Sequence, residues 1–119
     1  MPTMNTKDFD MAIQTVVERL KRLPVSRIIL FGSSANGATT SDSDVDLAIV
    51  MDRPTAFENY DQRLEAKSEI RKSILDINGK IPIDILLYTE SEYNELRQFK
   101  GFLSTEILAR GRTLYEKAG

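Results

Sequence analysis

The chain has 119 residues, 41% of them hydrophobic, which is the size and apolar content of one ordinary domain around a single core. Sixteen basic against eighteen acidic residues leave a formal net charge of −2 with no long run of either sign, so the cationic stripe that grips nucleic acid is missing and a nucleic-acid partner is disfavoured. With no cysteine and no histidine, disulfides, thiol chemistry, the usual zinc ligands and imidazole bases are all excluded, and carboxylates, hydroxyls, backbone amides and bound metal ions remain.

From the N-terminus, Phe9, Ile13, Val16, Val17 and Leu20 fall at helical spacing and predict an amphipathic helix over 7–23, closed by Pro24. Ser26 to Phe31 is rich in β-branched and aromatic residues and stops at Gly32, the pattern of a buried strand. A Gly, Ser, Asn and Thr cluster over 32–43 reads as a loop, and a second strand follows at 44–50. That loop is too short for a helical crossover, which makes the two strands antiparallel. Residues 56–78 place Phe57, Tyr60, Leu64, Ile70, Ile74 and Ile77 on roughly one face and predict the longest helix, with a core-packing stripe, a solvated charged face and Gly79 as its stop. A third strand is expected over 81–88. Thr89 with Glu92 forms the capping box of a helix to about Phe99, helical pattern resumes from Phe102 to Ala109, and Thr113 to Tyr115 supplies a short edge strand. The prediction is a small α/β (α+β) domain spanning 1–119, with helices packed on a mixed sheet. The longest apolar stretches are far shorter than a bilayer span and no signal pattern opens the chain, which predicts a cytoplasmic protein without membrane contact.

Strand alternation puts Asp44 and Asp46 on one face and Val45, Leu47 and Ile49 on the other, so that two carboxylates share a rigid element. Asp84 interrupts the apolar run Ile81 to Leu87 on the third strand in the same way. If these strands are neighbours, three carboxylates converge, and a divalent cation relieves their repulsion. Oxygen-only ligands favour Mg2+ or Mn2+, and two such ions suit an in-line phosphoryl or nucleotidyl transfer. Gly32 and Ser33 follow the first strand directly, where backbone amides and a hydroxyl can cup phosphate oxygens. Each feature alone has an ordinary explanation: a turn, an exposed strand face, a half-exposed third strand. Gly32 to Thr39 has the spacing of a Walker loop, but Ala38 stands where the lysine belongs, so the P-loop reading fails.

Together, Gly32-Ser33, ten intervening residues and Asp44-Val45-Asp46 resemble the Gly-Ser-x10-Asp-x-Asp signature of the DNA polymerase β-like nucleotidyltransferase superfamily, and Asp84 in Ile-Pro-Ile-Asp-Ile resembles its third carboxylate. Within it the chain looks like the minimal nucleotidyltransferase (MNT) group, the antitoxins of HEPN/MNT toxin–antitoxin pairs. The resemblance implies that Gly32 and Ser33 hold the triphosphate of ATP, that Asp44 and Asp46 ligate two Mg2+ ions, and that Asp84 completes one metal site and helps deprotonate the attacking hydroxyl. It further implies transfer of AMP to a hydroxyl, a tyrosine, of a partner HEPN toxin. Many relatives read Gly-Ser-Arg-Ala-Arg-Gly where this chain carries Ser34 and Asn36, which predicts a weaker hold on the triphosphate unless another arginine, such as Arg53, compensates. Two alternatives stand beside this reading: an antitoxin that neutralises its partner by binding alone, and a transferase for a small molecule of the aminoglycoside type. Homo-oligomer and hetero-oligomer both stay open.

Overall fold

The computed structural model describes residues 6–32, 45–99 and 101–118. Helix α1 spans Thr6–Leu20, strand β1 Val25–Phe31 and strand β2 Val45–Met51; helices α2 and α3 follow at Tyr60–Ser73 and Leu75–Asn78. Strand β3 is Ile83–Tyr88, helix α4 Glu90–Gln98, and α5 covers Phe102–Ser104 before running into a π-helical turn at Thr105–Ala109; strand β4, Arg112–Glu116, ends the order. The four strands form one mixed sheet in the order β3-β2-β1-β4. β1 is antiparallel to both β2 and β4, as the short loop requires, and β2 and β3 are parallel, joined by the helical crossover.

Two layers of side chains leave this sheet. Val45, Leu47 and Ile49 join Ile28 and Leu30 under Ile13, Val16 and Leu20 of α1 and under Ile70, Ile74 and Ile77, making the main core. The opposite face carries a smaller core in which Ile29, Phe31, Ala48 and Val50 meet Tyr93 of α4 and Ile107 of the π-helical turn. Cover on both faces explains why Leu47 to Met51 is apolar at every position rather than at alternate ones.

The first helix ends three residues earlier than its apolar spacing predicts. Arg22 N–H donates to Arg19 and Leu23 N–H to Leu20, tight i to i−3 turns that unwind the helix before Pro24, whose ring disfavours helical geometry at Leu23. The expected 56–78 helix is two helices, and α1, at 15 residues against 14 for α2, is the longest. Asn59 caps α2 by accepting from Gln62 N–H, and Ile74, at φ −123° and ψ 20°, breaks the path before α3. The single stripe expected on this segment also divides. Ile70, Ile74 and Ile77 are buried, but Tyr60 and Leu64 are exposed, because at about 100° per residue Leu64 lies about 120° round the axis from Ile70. Nor is every charge on α2 solvated. Half-buried Arg63 donates to the Leu87 carbonyl at 2.7 Å and pairs with Glu92, tying α2 to the junction of β3 and α4.

Candidate active site

The end of β1 reaches the acidic strand through register. Phe31 pairs with Asp46, and Asp46 pairs in turn with Asp84 across the parallel β2–β3 ladder. In-register side chains on adjacent strands share a face, so both carboxylates project on the side of the smaller core, with Ala48 and Val50 continuing from Asp46 and Leu86 and Tyr88 continuing from Asp84. Asp46 is half-buried and Asp84 is exposed. The pair therefore stands on the two adjacent strands β2 and β3, anchored from behind by Val45, Leu47, Ile83 and Ile85.

Gly32 completes this corner. Its φ of +78° lies in the left-handed region, which side-chain-bearing residues rarely adopt, and a Cβ there would stand 2.5 Å from Asp46 Oδ2. Beyond the phosphate contact that its sequence position predicts, the missing side chain of Gly32 makes room in the fold for the carboxylate of Asp46. Ser33 and Asp44 lie outside the described residues, as do Ser34 and Asn36.

The donor set fits a hard divalent cation. Asp46 and Asp84 offer only oxygen from neighbouring strand positions, and these carboxylates would hold such a cation, which would offset their like charge. Among the described residues no third acid joins them to make a cluster of three.

Arg53 does not serve this corner. It follows β2, beside the start of β1, where Asp52 N–H donates to the Pro24 carbonyl and Val25 pairs with Met51. Seven residues of extended chain separate it from Asp46, on the order of 20 Å. There its guanidinium lies 5.0 Å from the Phe57 ring centre and donates to Gln62 and the Thr55 carbonyl, a structural role. Tyr88 shares the face of Asp84 at the other end of β3. Burial, reinforced by Glu92 and opposed by Arg63, pushes its phenol above the usual range, so it stays neutral near pH 7.

The position of a glycine at positive φ beside paired strand carboxylates agrees with a direct comparison. A family model described as nucleotidyltransferase domain matches residues 13–112. The chain belongs to the nucleotidyltransferase domain family. Nucleotidyl transfer is the enzyme class of that family and of this chain. Its fold is also that of the first two of the following solved structures. A toxin–antitoxin complex with AMP-PNP is 21% identical over 87% of this chain and 73% of the other, with a TM-score of 0.51. A tyrosine-to-alanine mutant of the toxin–antitoxin MntA–HpeT is 20% identical over 88% and 72%, with a TM-score of 0.50. A tri-AMPylated Shewanella oneidensis HEPN toxin in complex with MNT antitoxin is 18% identical over 91% and 72%, with a TM-score of 0.48. A comparison with curated proteins finds no match. Among the described residues, no helix is long and apolar enough to cross a membrane.

Proposed function

We propose that this chain is one nucleotidyltransferase domain that moves AMP from ATP to a hydroxyl, a tyrosine, of a partner HEPN toxin, and that it acts as the antitoxin in the cytoplasm. The observation that carries the reading is the register of Asp46 against Asp84 beside Gly32. The AMP-PNP held by a toxin–antitoxin complex of the same fold supports the nucleotide and the kind of partner.

Asp44, Asp46 and Asp84 would hold Mg2+, which supplies charge neutralisation for the phosphate oxygens. Asp46 keeps its place because the Val45, Leu47 and Ile49 side chains fix β2 in the core. Gly32 brings the end of β1 against that carboxylate, and the backbone amides of Gly32 and Ser33 would hold the triphosphate. The hydroxyl oxygen attacks the α-phosphorus as the bond to the bridging oxygen breaks. Pyrophosphate leaves, and exposed Asp84 accepts the hydroxyl proton. Positioning and charge supply most of the acceleration. The test is incubation with labelled ATP, Mg2+ and the neighbouring gene product. Label should pass to that protein, and Asp46→Asn should cut transfer by about a hundredfold or more; transfer that survives the substitution, or none with the intact chain, rejects the reading.

One observation favours a second reading. Arg53 stands at the far end of the sheet, so it does not replace the cations that Ser34 and Asn36 omit. An antitoxin that neutralises by binding alone predicts that the chain with both Asp44→Ala and Asp46→Ala still protects cells from its partner. Loss of protection in that variant excludes it.

A further inference from the structure

Helix α2 turns Ala66 and Ile70 toward the main core and leaves its outer side to solvent. That outer side is not uniformly polar. Tyr60 is 71% exposed, Leu64 45% and Leu75, at the start of α3, 65%. Leu64 and Leu75 line a shallow groove with Lys67, Ser68, Arg71 and Lys72, and no acid lines it. Among the described residues none of these three cations is ion-paired, whereas Arg19, Lys21, Arg27, Arg63, Arg110 and Lys117 all are. Of the acids of α2, Glu65 and Glu69 line the separate hollow beside Arg53 and Phe57, and exposed Asp61 stands in the first turn, outside the groove lining. Three unpaired cations thus stand between two exposed leucines along α2 and the start of α3.

We propose that this face docks an amphipathic helix of a partner protein whose apolar stripe is flanked by Glu and Asp. Leu64 and Leu75, eleven residues apart, offer apolar contacts at two points of the groove to the anchor side chains of a helix laid along it, and the three cations select acidic flanks. A second copy of the chain fits poorly, because an isologous contact would set these cations against their own equivalents. Nucleic acid fits poorly too, since three cations interleaved with tyrosine and leucine are not a phosphate-tracking stripe. The groove lies over the sheet face opposite Asp46 and Asp84, so an occupant held there leaves the carboxylates open. The proposal stands independently of nucleotidyl transfer.

The experiment titrates the isotope-labelled full chain, followed by NMR, with a synthetic helical peptide bearing leucines at i, i+4, i+7 and i+11 flanked by glutamates. The same peptide with lysine flanks, phosphatidylglycerol vesicles and a duplex oligonucleotide are the competitors. Shifts should be confined to residues 60–75 and weaken with salt. The combined Lys67→Glu, Arg71→Glu and Lys72→Glu variant should bind the acidic peptide roughly tenfold more weakly, three screened pairs being lost. Leu75→Ser, uncharged and at an exposed position, should weaken it as well and keeps the test valid if the triple variant misfolds. Equal binding of both peptides, no binding, shifts elsewhere, tighter binding to the vesicles or the oligonucleotide, or self-association that Leu64→Ser removes would each overturn the proposal.

Discussion

Gly32 concentrates the local physics of the candidate site into one missing Cβ. Its positive φ and its closeness to Asp46 Oδ2 are separate constraints, one on backbone and one on space. Gly32→Ala should therefore destabilise the fold by about 1–3 kcal/mol through strain at a left-handed position. It should also displace the Asp46 carboxylate, so nucleotide binding should fall further than stability explains. Urea unfolding and nucleotide titration on the same variant measure the two effects, and binding unchanged in a folded protein would count against the site. Asp46 and Asp84 were legible as candidates because acids interrupting apolar strands stand out in the sequence. Their in-register pairing was not, since register depends on how β2 and β3 meet across a crossover of more than thirty residues. Arg53 illustrates the converse error. A cation close to the acidic strand in sequence lies at its far end in space.

At the level of elements, capping chemistry was readable and packing faces were less so. Thr89 is fully buried and accepts from Glu92 N–H, while the Glu92 carboxylate accepts from Thr89 N–H at 2.9 Å, completing the expected capping box. The same Glu92 pairs with Arg63, so the start of α4 is held to α2 as well as to itself. Thr89→Ala should cost about 1–2 kcal/mol and lower the melting temperature without changing the sheet, which calorimetry and circular dichroism would record. A cost near zero would mean that the cap is redundant with the Arg63 contact. Across 56–78 the apolar residues do not share one face. The break at Ile74 and the turn of Leu64 away from the core separate a buried set from an exposed one, and only the exposed set forms the proposed docking face.

For the whole molecule, the helical layer over the main core is pinned by exposed ion pairs that make its stability depend on pH. Arg19 of α1 holds Asp76 of α3 and also donates to the Ser73 carbonyl at 3.1 Å. The hydrogen bonds from Arg19 hold the Asp76 carboxyl below its ordinary value near 3.8. A depressed acid contributes stability that is complete above the unfolded value and is lost as pH falls through the folded one. Asp76→Asn should thus lower the urea midpoint at pH 7, and the gap to the parent should close below about pH 4. Lys117 behaves in the opposite sense. Its hydrogen bond to Asp52 raises it above 10.5, so its contribution is whole below that value and disappears as pH rises further; Lys117→Met should flatten the alkaline limb of the midpoint curve. Both pairs are exposed, so both effects should be small and should shrink with added salt.

The sequence alone determined the four strands and their order along the chain, the antiparallel first pair, the capped helix after Thr89 and the spacing from Gly32 to the acidic strand. Each of these is set by local chemistry: alternation, turn residues, caps and loop length. Tertiary structure decided what depends on distant segments meeting. It placed Asp84 against Asp46, put the second core on the acid-bearing face, sent Arg53 to the opposite end of the sheet, and turned the cationic side of α2 outward. Side-chain periodicity can say which residues share a face of one element, but only packing says what that face meets.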